Sequence, residues 1–123
     1  MKRKTLIFEK HLESINIRWW DKIDAYVDSS KLNEPGGTIN IPNKTELSAI
    51  ALEWMIKRLE RENKVLIQSR LNPDNYIQIA REMGETDGGS VIIHVEETLS
   101  DKDFNNCIFE ALDYVCKEED SGG

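Results

Sequence analysis

The sequence predicts an α+β fold, a small two-layer domain with three to four helices packed mainly on one face of about three to four short strands. Apolar residues recur at helical spacing in some windows and alternate in others. Those windows succeed one another along the chain, an order that lays helices against a sheet. At 123 residues, 39% of them hydrophobic, the chain suffices for one core and not two. A single globular domain over 1–118 is expected, with 119–123 as a flexible tail.

Thr5-Leu-Ile-Phe-Glu9 suits either a short strand or the lead-in to a helix. From Leu12 the apolar positions Ile15, Trp19, Ile23, Tyr26 and Val27 follow an amphipathic helical stripe. The stretch Ile15-Asn-Ile-Arg-Trp-Trp20 also alternates like a strand, but such a strand must stop at Asp21 after very few residues. A helix over 12–27 is therefore expected. Trp19 falls in its core stripe, and Trp20, turned by ~100°, becomes a boundary residue or an interface anchor.

Asp28 to Gly37 reads as a loop, closed by the turn chemistry of Pro35-Gly36-Gly37. Its glycines precede a short alternating strand, Thr38-Ile-Asn-Ile41, so they lack the strand-before, helix-after context of a phosphate cradle. Asn43 is a cap for a helix over 44–62. The apolar arc of that helix is wider than one core face requires. Either it is sandwiched inside the domain or its second face meets a partner.

Lys64 to Leu71 reads as a strand. Asn72-Pro73 resembles a helix start, with Tyr76, Ala80 and Met83 as the apolar face and Gly84 as the C-terminal cap. Thr86-Asp-Gly-Gly89 turns the chain into the strand Ser90–Thr98. Ser100 to Asp103 has capping-box spacing, with Leu99 and Phe104 at the positions of a hydrophobic staple. A last helix follows, with Phe104, Ile108, Ala111 and Val115 as its stripe and Cys107 and Leu112 beside it.

Charge is the most informative global property. Residues 85–123 carry eleven acids against Lys102 and Lys117, a balance of −9, whereas residues 1–84 balance at +2. An acidic contact surface is one explanation and a solubilising face is the other. Cys107 and Cys116, nine residues apart on one helix, lie ~13 Å from each other and cannot form a disulfide. Both are expected to be reduced core side chains. No apolar run approaches the ~20 residues of a membrane helix, and the basic start is too short in apolar residues for a signal peptide. A cytoplasmic location and no membrane contact are expected.

Among candidate sites, His94 and Glu96 alternate onto one side of their strand, while Gln68 and Arg70 share a side of theirs. If those strands are neighbours, the four make a polar cluster in which His94, held by Glu96, acts as a general base beside Arg70. That is the enzyme or small-ligand alternative, and the sheet face carrying it is expected to be the solvated one. Glu96, Glu97, Asp101 and Asp103 cluster in sequence, but two of the four suit a helix start and neither a calcium-loop glycine nor a second carboxylate motif accompanies them, so no metal is expected. No catalytic group, metal or cofactor is assigned. Lys57, Arg61 and Lys64, with Arg58 adjacent, form the one basic helical stripe and, apart from Lys2-Arg3-Lys4, the one candidate patch for the second alternative, a nucleic-acid-binding regulator. Net charge −7 opposes nucleic acid there, although the same stripe can serve a homodimer by meeting the acidic segment of a second copy.

The expected function is an acidic protein–protein interaction module that binds a partner with a basic surface. Complementary charge speeds encounter and apolar anchors hold the complex. By class analogy it suits an inhibitor, such as an immunity or anti-defence protein directed at a nucleic-acid-handling enzyme. The candidate contact residues are Trp20, Glu96, Glu97, Asp101, Asp103, Glu110, Asp113, Glu118 and Glu119.

Overall fold

The computed structural model describes residues 2–71 and 73–122, with the side chains of 118–122 outside the description. Its elements are α1 (Leu6–Ser14), β1 (Ile17–Trp20), β2 (Ala25–Asp28), α2 (Lys44–Glu60), β3 (Lys64–Leu71), β4 (Asp74–Glu85), β5 (Val91–Asp101) and α3 (Phe104–Gly122). The fold is α+β, as expected, with more strand. Among the described residues, three helices accompany five strands in two antiparallel sheets, one ordered β1-β2 and the other β3-β4-β5.

Residues 12–27 are not one helix. α1 begins at Leu6 and stops at Ser14, and Asn16 then takes a left-handed backbone at φ 66°. This conformation suits Asn at a helix exit better than any branched residue. The chain reverses through Asp21–Asp24, where Asp24 sits at φ 54°, to pair β1 with β2. The short strand that ends at Asp21 therefore exists, stabilised by its partner across a four-residue turn. Ile17 and Tyr26 face the core, Trp19 packs edge-on against Tyr26 at 4.9 Å between ring centres, and Trp20 is 46% exposed.

The expected strand over 38–41 reduces to one bridge between Asn40 and Asp28, with Ile39 and Ile41 exposed. α2 begins as expected, with the Asn43 side chain accepting a hydrogen bond from the Glu46 amide. Its wide apolar arc is consumed within the domain. Leu47, Ala51, Met55 and Leu59 are buried, and Trp54 on its other side meets Phe8 of α1 at 5.4 Å between ring centres.

The larger correction concerns the helix expected to start at Asn72-Pro73: Asp74–Glu85 forms the strand β4, and Asn72 lies outside the described residues. β4 is the central strand, joined to β3 by a two-residue connection and paired on its other edge with β5. Tyr76-Ile-Gln-Ile79 alternates, and both ladders reward extended backbone more than Ala80-Arg-Glu-Met83 rewards a helix. Gly84 sits at φ 137° in an irregularity of the β4–β5 ladder, not at a helix cap.

α3 begins at Phe104, three residues later than a cap at Ser100 implies. Asp103 serves instead, its carboxylate accepting from the Asn105 amide at 2.9 Å. The helix buries Cys107, Ile108, Phe109, Ala111, Leu112, Val115 and Cys116 against Ile77 and Ile79 of β4 and against α2. Neither cysteine is in a disulfide. Helices thus cover one face of the β3-β4-β5 sheet.

Candidate protein interface

The ladder registers define the two faces of the three-stranded sheet. Leu66, Gln68 and Arg70 stand level with Ile79, Ile77 and Asn75, and these with Glu97, Leu99 and Asp101. This is the helix side: Ile77 and Ile79 are fully buried and Arg70 lies over the Phe104 ring at 4.3 Å. The opposite face carries Val65, Ile67 and Ser69 of β3, Tyr76, Gln78 and Ala80 of β4, and Ile93, Val95, Thr98 and Ser100 of β5.

The sheet therefore turns its more apolar side on β3 and β5 outward, the reverse of the expected orientation. Gln68, Arg70, His94 and Glu96 belong to the helix side. Val65 and Ile67 are half-buried, while Val91, Ile93 and Val95 are 54%, 41% and 39% exposed. Ala80 is fully enclosed on the outer face because it lies between Val65 and Val95 in the ladder. An open sheet face usually alternates toward polar residues, and a contiguous apolar patch is the common mark of a contact surface. The acids Asp74, Glu82 and Glu85 border this face, and among its described residues there is no Lys or Arg.

At one end the β4–β5 ribbon outruns β3. Lys64, the first residue of β3, pairs with Arg81, so from Met83 to Ile92 the ribbon has only its two strands. Every residue from Arg81 to Val95 is exposed, Met83 and Ile92 included.

The expected His94–Glu96–Arg70–Gln68 cluster is not assembled, because β4 separates β3 from β5. Arg70 is level with Asn75 and His94 with Arg81, a separation of ~20 Å along an extended strand. Glu96 occupies the bulge opposite Ile79/Ala80, and its Oε1 sits 3.5 Å from Lys64 Nζ and 3.3 Å from Arg81 Nε. Lys64 is buried here and also lies 3.7 Å from Glu62. The basic stripe is likewise taken apart, with Lys57 beside Glu53 at 3.5 Å and Arg58 over Trp54 at 5.0 Å.

The predicted acidic contact residues do not form one surface. Glu96 is committed to its ion pairs, and Glu97 Oε1 accepts from the Thr98 amide at 3.1 Å. Asp101 accepts from the Asp103 amide and Asn106 Nδ2, organising the entry to α3. Asp103 is 2.7 Å from Lys44. Glu110 and Asp113 are exposed on α3, where they and Asp101 line a 560 Å³ cavity with Lys2, Lys4 and Lys44. The chain's own lysines thus answer part of its acidic end. Lys4 Nζ lies 3.8 Å above the Phe109 ring, and burial holds its pKa below the ordinary lysine value. Partial desolvation at the cavity wall, reinforced by Asp101 and Asp113, pushes Glu110 up. The side chains of Glu118 and Glu119 lie outside the described residues. Trp20 is exposed on β1, as an anchor requires, but belongs to the separate two-stranded sheet.

A buried cluster escaped sequence reading. Glu9 takes both oxygens to Arg3 Nε at 3.0 Å, and the Tyr26 hydroxyl donates to Glu9 at 3.1 Å while accepting from the Lys4 amide at 2.6 Å. This cluster fastens the N-terminal segment to β2. Among the described residues no group of acids, histidines and cysteines is placed to hold a metal, and no helix is long and apolar enough to cross a membrane. No protein-family model, no curated protein and no solved structure matches the chain.

Proposed function

We propose that the protein is an interaction module that binds a basic protein partner through the outer face of its three-stranded sheet. The observation that carries this reading is the composition of that face, apolar at Val65 and Ile67 of β3 and at Val91, Ile93 and Val95 of β5, and bordered by carboxylates with no Lys or Arg among its described residues. Completing the burial of a half-exposed Val or Ile contributes about 1 kcal/mol. Several together supply short-range affinity, while acids at the rim accelerate the approach of a positive partner. The acidic anchor set expected from sequence is thereby moved, from the α3 end to Asp74, Glu82, Glu85 and the sheet they border. An inhibitor of a nucleic-acid-handling enzyme, of the immunity or anti-defence kind, is the functional class that best suits this pairing of charges.

The test is capture by the immobilised full chain from extracts of its native host, run beside an Ile93→Asp variant and repeated across a salt series. A basic protein retained by the parent chain, lost with the variant and released by salt supports the module. Identical captured sets from the two chains overturn it.

A further inference from the structure

Resting on the interface reading above, we infer that the partner supplies an extended, lysine- or arginine-bearing segment that adds to the free edge of β5 at Val91–Val95 as a fourth strand. β5 is an edge strand, paired with β4 and with no other strand among the described residues. An edge presents unpaired backbone donors and acceptors, and proteins ordinarily block it with Lys, Pro, a bulge or a covering element. The segment Val91-Ile-Ile-His-Val95 carries neither Lys nor Pro, and all five residues are exposed. The extra residue on β5 itself, Glu96, comes only where this segment ends, and the second irregularity, opposite Ile92 and Ile93, has its extra residue, Met83, on β4.

The side chains fit the same occupant. Val91, Ile93 and Val95 form an apolar row on the outer face, backed on β4 by Glu85, Glu82 and Ala80 in turn, so an added strand extends that row beside two carboxylates. Main-chain bonds supply affinity in such a complex and alternate side chains supply selectivity. Charge decides between a foreign strand and a second copy of the chain. The ribbon from Glu82 to Ile93 holds Glu82, Glu85 and Asp87 and no Lys or Arg. Pairing two copies at this edge gathers like charges, whereas a basic segment meets opposite ones.

The test uses the full chain and two synthetic peptides of alternating lysine and valine, about eight residues long, a usual strand length. One is unmodified; the other is N-methylated at alternate residues, which keeps side chains and charge but removes the donors a sheet needs. The expected result is binding of the unmodified peptide with new hydrogen-exchange protection at 91–95, and at least ~tenfold weaker binding of the methylated one. An Ile93→Lys chain with unchanged circular dichroism is expected to lose binding to a similar degree. Equal binding of both peptides without protection at β5 overturns strand addition and leaves the interface reading standing. No binding of either peptide at low ionic strength overturns both. A dimer in sedimentation that the peptide dissociates assigns the edge to a second copy and also overturns the proposal.

Discussion

Lys44 Nζ lies 2.7 Å from Asp103 Oδ2, joining the first residue of α2 to the residue that caps α3. The geometry answers two local needs. A lysine in the first turn of a helix opposes the helix dipole, and Asp103 offsets it. The other Asp103 oxygen accepts from the Asn105 amide. Lys44, and then that amide, hold the Asp103 carboxyl below the usual range. Two helices are registered through one carboxylate that sequence reasoning had assigned to a partner.

Removing that carboxylate is expected to lower the melting temperature, more for Asp103→Ala than for Asp103→Asn, because asparagine keeps the cap and loses only the charge. The sign of the pH effect follows from the depressed pKa. The stabilisation is present above the unfolded value of about 4 and is lost as pH falls through the folded value. Melting curves of parent and Asp103→Asn chains across the acid range check this, and the two are expected to converge at the acid end.

Half-buried His11 packs against both Phe8 and Trp54, with ring centres 6.2 and 6.1 Å away. Burial lowers its pKa; Lys57 adds to the effect and Glu53 opposes it. The folded state thus favours neutral His11, so stability is present above about pH 6.5 and falls as pH drops through the folded value. A His11→Leu chain is expected to show a flatter dependence of denaturation midpoint on pH between about 5 and 7.

Legibility in the sequence followed how many elements each segment touches. α2 and β3 were readable because their patterns are long and locally consistent, and Asn43 marks the start of the helix. β4 was not, because Ala80-Arg-Glu-Met83 favours a helix locally and only two flanking ladders make it a strand. The β1–β2 hairpin was hidden by a coincidence of spacing between Leu12, Ile15 and Trp19. The usable signals were Asn16 and Asp24, both polar residues suited to positive φ.

The candidate site was less legible than the fold. Alternation correctly sorted Val91, Ile93 and Val95 from His94, but alternation alone does not say which side the helices cover. That depended on β4, whose Ile77 and Ile79 face α3. Misreading β4 as a helix removed the strand that sets β3 and β5 apart, and so created the His94–Arg70 neighbourhood. The acidic bias was readable as composition, but its use was not. Asp101, Asp103 and Glu96 are absorbed by capping and ion pairs, which depend on partners distant in sequence such as Lys44.

The backbone at Asn16 provides a direct check on where α1 ends. Its φ of 66° costs a β-branched residue about 1–2 kcal/mol and costs glycine nothing. Asn16→Val is therefore expected to destabilise the chain by that amount in urea titrations. Asn16→Gly is expected to stay within a few tenths of a kcal/mol of the parent. If residues 12–27 formed one helix, the order of the two variants would reverse.

Tyr26→Phe removes the hydroxyl that joins the Lys4 amide to Glu9 inside the core. The expected loss is about 1–3 kcal/mol, since it leaves a buried donor and a carboxylate each short of a partner. Burial chiefly, and Glu9 in addition, raise the Tyr26 pKa above the ordinary phenol value. The folded state therefore holds this proton more tightly, and stability falls as pH rises above about 10 toward the folded value. Alkaline denaturation midpoints should decline less steeply in Tyr26→Phe than in the parent.

Ile79 and Ile93 lie on opposite faces of the same sheet and separate stability from binding. Ile79 is fully buried against the helices, so Ile79→Ala leaves a cavity and is expected to cost about 2–5 kcal/mol. Ile93 is 41% exposed, and Ile93→Ala is expected to change stability by no more than about 0.5 kcal/mol. Denaturant titrations of the two variants therefore test which face is the core. A large loss from Ile93→Ala means that something within the chain already covers the outer face, and the surface offered to a partner disappears. A small loss leaves an isoleucine whose burial the folded chain does not itself complete, and at which a substitution acts on the complex and not on the fold.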